Sequence, residues 1–317
     1  MTIPAEPAHQ ASVDSRGLLG RHAQRSFGAL VADLVALTKP RITRMVVATM
    51  LGGAWVAERF AKANGLPGAS GRIVALALLG TVLVVAGANT LNMYLERDTD
   101  GLMERTKDRP LPAGRLAPEV ALWFGVALSV VSVAILALFV NATTALLGAF
   151  ALLSYVLVYT PLKRKTTLSL LIGAVPGAIP PLLGWTSVTG NVDAPGAVLF
   201  GIMFLWQVPH FLAIALFRGN DYNRAGLKVM PIERGERATR YHIVGYSIAL
   251  LAVSLLAMPL GVAGPVYSAA ALLLGAGFLG FGAWGLKPGT GTRWARGLFG
   301  ISIVYLLLLF AALMIGA

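Results

Sequence analysis

Long apolar runs without a formal charge dominate this chain and lay out its elements. Residues 73–95, 166–192, 194–217 and 297–317 contain no Asp, Glu, Lys or Arg. Each is long enough for one helix across a ~30 Å hydrocarbon core, which takes about 20 residues. Residues 120–162 and 241–286 are charge-free over lengths that fit two helices each, with Asn141 and the Gly261–Pro265 segment as the turns. A shorter run, Met45–Ala57 extended back through Ile42, supplies the first span. The pattern predicts an all-α integral membrane protein with nine transmembrane helices over residues 34–317. Residues 1–33 are polar and lack an apolar stretch beside the initiator, so they read as a disordered cytoplasmic N-terminal tail and not a cleaved signal.

Composition agrees with this class. Hydrophobic residues make up 56% of the 317, charged residues 13%, and mean hydropathy is +0.73. A soluble domain would be about one quarter charged. Cysteine is absent, which excludes disulfides, thiolate metal sites and covalent c-type heme attachment. The 26 Lys and Arg residues crowd into alternate connections, leaving only Arg59, Lys62 and Arg72 for the other side. Cytoplasmic connections carry the Lys/Arg excess, so the N-terminus is expected inside and the C-terminus outside. The net charge of +12 is then mainly a topology signal with some attraction to anionic membrane lipid. No soluble basic domain exists to bind nucleic acid.

Two acid-bearing stretches interrupt the apolar pattern at helix ends on the cytoplasmic side. Ionisable groups beside hydrocarbon are costly and mark function. Helical residues advance ~100° each, so Asn92, Glu96 and Asp100 share one narrow face together with Asn89, whereas Asp98 points away. Carboxylates and an amide carbonyl on one arc, followed by Arg105, Lys107 and Arg109, suit a hard divalent metal holding a diphosphate. The plainer alternative is a helix end whose acids pair with Arg97 and Arg105 in a solvated loop. In the second stretch Asp221 is a candidate metal ligand, Tyr222 a hydrogen-bond donor, and Arg224 and Lys228 phosphate cations. Lys163, Arg164 and Lys165 end another span on the same side and would help stabilise a departing diphosphate. His210 precedes Asp221 by eleven residues, three helical turns along nearly the same face of one helix. With Trp206 and Gln207 it is a candidate wall of the chamber, against the alternative of a packed, hydrogen-bonded histidine. Pro176-Gly177 and Pro180-Pro181 are expected to break a span at membrane depth, where irregular backbone survives only in protein or along a cavity, so that they form a wall of the chamber or, alternatively, merely kink a packed helix.

At these residues the chain resembles the UbiA superfamily of intramembrane prenyltransferases, through Asn92-x3-Glu96-x3-Asp100 and Asp221. Further matches are Thr38-Lys39-Pro40-Arg41, Tyr159-Thr160-Pro161-Leu162-Lys163-Arg164 and Pro209-His210-Phe211. The closer likeness is to the branch that farnesylates heme. The resemblance implies nine helices around a central cavity, and Mg²⁺-dependent transfer of a farnesyl group from farnesyl diphosphate to a vinyl group of heme b. It implies metal ligation by Asn92, Glu96, Asp100 and Asp221, and diphosphate binding by Arg97, Arg105, Lys107, Arg109, Lys163, Arg164, Arg224 and Lys228. His210, Gln207 and Trp206 would lie on the heme side. Ala225 stands where many members carry another acid, so one or two ions fit the pattern. The branch acts in energy-transducing inner membranes, where heme A synthase or terminal oxidase assembly would receive the product. A prenyltransferase acting on an aromatic quinone precursor shares the same diphosphate features. A transporter is disfavoured, because its site would lie near the bilayer midplane.

Overall fold

The computed structural model describes residues 26–316, and all regular structure among them is helical. A short helix α1 (Phe27–Leu37) leads into α2 (Pro40–Ala63), α3 (Gly71–Asp100), α4 (Pro118–Phe139) and α5 (Ala142–Leu162). Then come α6 (Ser169–Thr189), α7 (Ala194–Phe217), the short α8 (Gly219–Arg224) and α9 (Met230–Glu233), and α10 (Gly235–Leu255), α11 (Pro265–Trp284) and α12 (Gly291–Gly316). The first seven residues of α1, Phe27–Asp33, fall in the stretch that the sequence pattern assigns to the tail, and residues 1–25 lie outside the described residues.

Seven of these helices, α3 to α7 with α11 and α12, are long and apolar enough to cross a membrane. α2 and α10 have membrane length, at 24 and 21 residues, but carry charge at their ends (Arg41, Arg44, Glu58, Arg59 and Lys62; Glu236, Arg237 and Arg240). The chain is therefore a multi-pass membrane protein, and nine crossings require these two charge-flanked helices as well.

Turn chemistry sets the boundaries. Asn141 caps α5 by accepting from the Thr144 amide at 2.8 Å, while Pro265 opens α11 after the Gly261 turn. The proline-rich segment departs from expectation. α6 runs unbroken through Pro176, Pro180 and Pro181, all buried. Each proline removes one backbone donor, and close packing on both sides keeps the helix continuous. The irregular turn lies in α5, where Ser154–Tyr159 is π-helical just ahead of Pro161. Pro161 cannot donate one turn back, and the Thr160 amide bonds instead to Tyr155 O.

α2 and α6 approach closely because glycine faces backbone in both directions. A Cβ on Gly53 would collide with the Pro181 carbonyl, and one on Gly184 with the Met50 carbonyl. Backbone cannot yield as a side chain does. Gly53→Val is expected to destabilise the protein by about 1–3 kcal/mol, read as a lower thermal midpoint in detergent, whereas Gly277→Val, at a position with open space, leaves it unchanged.

Candidate functional site

The C-terminal end of α3 carries the acids in the orientation that helical spacing predicts. Asn89, Asn92 and Asp100 are buried, Glu96 is largely enclosed at 16% side-chain exposure, and Asp98 stands 88% exposed. Each group on the enclosed face has a partner from another segment. Lys163, at the end of α5, donates to Glu96 Oε1 at 2.8 Å. Arg109, in the connection after α3, donates to Asp100 Oδ2 at 2.6 Å, and Thr106 Oγ1 donates to the Asp100 carbonyl at 2.7 Å. Asn92 Nδ2 donates to Thr160 Oγ1 at 3.1 Å, so the π-turn of α5 fixes the amide with its carbonyl toward the site.

That carbonyl accepts from Lys39 Nζ at 2.9 Å, a contact the sequence reading missed. Lys39 lies between α1 and α2 with φ of +51°, the one non-glycine among the described residues in left-handed backbone. The turn is braced: Asn89 Nδ2 and Thr43 Oγ1 both donate to the Thr38 carbonyl at 3.3 Å. Ahead of the first membrane-length helix, burial draws the Lys39 ammonium down from 10.5 to about 7; Arg109 and Lys163 push the same way, and Glu96 and Asp100 oppose them. Burial first, and then the neighbouring Arg109 and Lys163, disfavour the charged form of Lys39, and an arriving polyanion would favour it.

The second stretch reaches the same end of the bundle by another route. The Lys228 amide donates to the Lys163 carbonyl at 3.0 Å, joining the connection between α8 and α9 to the end of α5. Burial raises the Tyr222 hydroxyl, with Arg105 and Lys163 near enough to pull it down. Asp221 is held by Arg224 at 2.5 Å and by Arg218 at 3.6 Å. Among the described residues no three His, Asp or Glu side chains are gathered into a metal cage. The donor set still fits a hard cation, because Asn92, Glu96 and Asp100 offer only oxygen and Mg²⁺ takes much of its shell from phosphate and water.

Other expected cations point elsewhere. Arg97 folds back to the Tyr94 carbonyl and ring, Lys107 pairs with Glu104, Lys228 Nζ with Glu233, and Arg164 is exposed. Arg109 and Lys163 are the two that the structure brings onto the acid face.

The His210 alignment needs correction. α7 ends at Phe217, Arg218 leaves helical geometry, and Asp221 belongs to α8, so no single helix carries both residues. His210 is buried against Trp206 and Phe299, and its Nδ1 lies 2.7 Å from Ser302 Oγ on α12. Trp206 Nε1 donates to the Ser302 carbonyl at 2.7 Å, and Gln207 Nε2 to Ala174 O and Met203 O at 3.2 and 3.0 Å. These three side chains tie α7 to α12 and α6, the packed and hydrogen-bonded alternative.

Fold and site together define an all-helical membrane protein with acids, an amide and converging cations at one end of its bundle. The chain belongs to the UbiA prenyltransferase family, whose pattern matches residues 46–315. It is 67% identical over 281 residues to the protoheme IX farnesyltransferase of Sorangium cellulosum, covering 86% of this chain and 100% of that protein. It is 52% identical over 289 residues to the protein of that name from Myxococcus xanthus, covering 91% and 95%. Among solved structures, that of a digeranylgeranylglyceryl phosphate synthase is similar with a TM-score of 0.76 and 17% identity, over 90% of this chain and 98% of that one. A UbiA homologue from Archaeoglobus fulgidus bound to GPP and Mg²⁺ matches with a TM-score of 0.64 and 18% identity, over 89% and 99%.

Proposed function

We propose that this chain transfers the farnesyl group of farnesyl diphosphate to a vinyl group of heme b, giving heme O. The carrying observation is the meeting of Asn92, Glu96 and Asp100 with Lys39, Arg109 and Lys163, in a chain that shares 67% identity with a protein named for this reaction. Asn92, Glu96 and Asp100, with Asp221, would hold Mg²⁺, which when bound neutralises diphosphate oxygens. Lys39, Lys163 and Arg109 bind the diphosphate and stabilise the negative charge that grows as the allylic C–O bond breaks. Apolar helices keep water from the farnesyl carbon until the vinyl carbon has bonded to it. Water then adds at the heme-side cation and a proton leaves, so the products are the hydroxyethylfarnesyl heme and diphosphate. The alternating Lys/Arg excess supports a cytoplasmic N-terminus and site, an external C-terminus and nine crossings, in an energy-transducing inner membrane. Heme A synthase or terminal oxidase assembly is the proposed recipient.

The test incubates membranes holding the protein with heme b and farnesyl diphosphate and separates the hemes. Heme O is expected with Mg²⁺ present, and its formation stops on chelation and returns when Mg²⁺ is restored. Prenylation of an aromatic acid with no conversion of heme would reject the assignment.

A further inference from the structure

α1 is inside out for a helix in water. Its one charged residue, Asp33, is turned into the protein, where Arg115 donates to it at 3.0 Å. Leu34 and Leu37 face the same way and pack with Met93, Leu111 and Leu116. The outward face carries Phe27, Leu30, Val31 and Val35, with Phe27 81% and Val35 50% exposed. A buried charge and an exposed apolar face on one short helix are both unusual in water. Contiguous apolar surface of this kind marks a contact with protein or membrane.

The neighbourhood of this face is lipid-facing. α4 begins beside α1, with Ala121 and Phe124 in the cluster around Leu37, and turns Val120 and Trp123 outward. Ile42, in the first turn of α2, is exposed too. A groove of about 490 Å³ opens along the outer seam of α2, α3 and α4, walled by Val47, Val82, Leu83 and Leu128. Its volume lies within the ~300–1,000 Å³ of small-molecule sites. Thr38 and Arg44 line it where α1 runs into α2. Arg41 lies one turn before Arg44 on the same side of α2. Both are exposed, and among the described residues no ion pair or hydrogen bond holds either.

We infer that α1 and this groove form a docking surface for an anionic phospholipid of the bilayer. The outward face of α1 lies among acyl chains at the membrane boundary, one chain enters the groove, and Arg41 and Arg44 hold the headgroup phosphate. Three features favour lipid over a second protein chain. The apolar face is continuous with exposed apolar side chains of α2 and α4, and the groove opens in that same outer surface. Paired guanidiniums suit phosphate oxygens, which arginine grips through parallel hydrogen bonds. The inference rests on the chain's being a multi-pass membrane protein and not on the proposed reaction.

The experiment uses the full-length protein, which contains no cysteine, so a single introduced cysteine reports one place. The protein is placed in bilayers of equal parts phosphatidylcholine and phosphatidylglycerol. Nitroxides on Val31→Cys and Val35→Cys are expected to collide with oxygen in preference to a water-soluble nickel chelate. The preference should exceed that at the exposed control Asp98→Cys by about fivefold, as burial of the face among acyl chains requires. Bimane on Val82→Cys, in the groove, should be quenched about fivefold more strongly by brominated phosphatidylglycerol than by brominated phosphatidylcholine, the scale of one arginine beside anionic lipid. Arg41→Gln with Arg44→Gln should bring the two lipids within about twofold of each other. Nickel access at positions 31 and 35 equal to that at position 98 would put α1 in water, and protection from both reagents would mean that protein covers it. Either result, equal quenching by the two lipids with both arginines present, or a preference that survives their loss overturns the inference.

Discussion

Glu96→Gln is expected to lower farnesyl transfer by about 100- to 1,000-fold, the scale of losing one preorganised electrostatic group, while the protein stays folded in the membrane. Glu96 faces the enclosed end of the bundle and is held by Lys163. Its neutral isostere keeps the shape but removes the charge that pairs with Lys163 and that the proposed Mg²⁺ would require. Asp98→Asn is the matched control: Asp98 is two residues away on the same helix, exposed, and only loosely near Arg97 at 3.9 Å. Exposed ion pairs contribute little, so its turnover should stay within about threefold of the unaltered protein. Initial rates of heme O formation for the two variants decide the matter, with detergent thermal midpoints as the check on folding. Equal losses would mean that charge at the helix end, and not the enclosed face, governs activity.

The face argument was available from the sequence because it depends on a local quantity, the ~100° advance per helical residue. The same holds for the spans and their turns. Charge-free runs and the breakers Asn141, Gly261 and Pro265 act within a few residues of themselves. Partner choice is not local. Lys107 and Arg109 are equally basic neighbours of the acids in sequence, yet one pairs with Glu104 and the other with Asp100. The fold of the 101–117 connection decides between them.

Two misreadings concern where helices continue and where they stop. Pro176, Pro180 and Pro181 should weaken a helix by local rules, yet α6 is enclosed between α2 and α7, where bending would open packed glycine contacts. Arg218-Gly219-Asn220 carries only a mild breaker, and the chain nevertheless starts a new helix there, with the Asp221 and Tyr222 amides both bonding to the Arg218 carbonyl. In α6 tertiary packing overrode the local propensity of the prolines. The resemblance to the family pointed to Glu96 and Asp100, which share the enclosed face of α3, but it could not say that Trp206, Gln207 and His210 spend their polar atoms on α6, α7 and α12.

Lys39 shows most clearly what sequence spacing hides, and it carries the other large prediction. Its contact with Asn92 spans 53 residues and depends on a backbone conformation that lysine disfavours. Left-handed geometry costs a non-glycine residue roughly 1–2 kcal/mol, and the following Pro40 bars the right-handed helical alternative. The strain aims an ammonium at the amide carbonyl beside Glu96 and Asp100. Substitution should therefore separate stability from activity. Lys39→Gly removes strain and charge together, and Lys39→Ala removes charge alone. Both should lose about 100-fold or more in turnover, yet the glycine variant should be the more stable of the two by about 1 kcal/mol, measured as the difference in detergent thermal midpoints. Lys39→Arg, which keeps the cation at a different reach, should fall between these variants and the unaltered protein in rate. A glycine variant no more stable than the alanine variant would show the left-handed turn to be unstrained. Near-normal turnover in either variant would remove Lys39 from the diphosphate site and leave Arg109 and Lys163 as its cations.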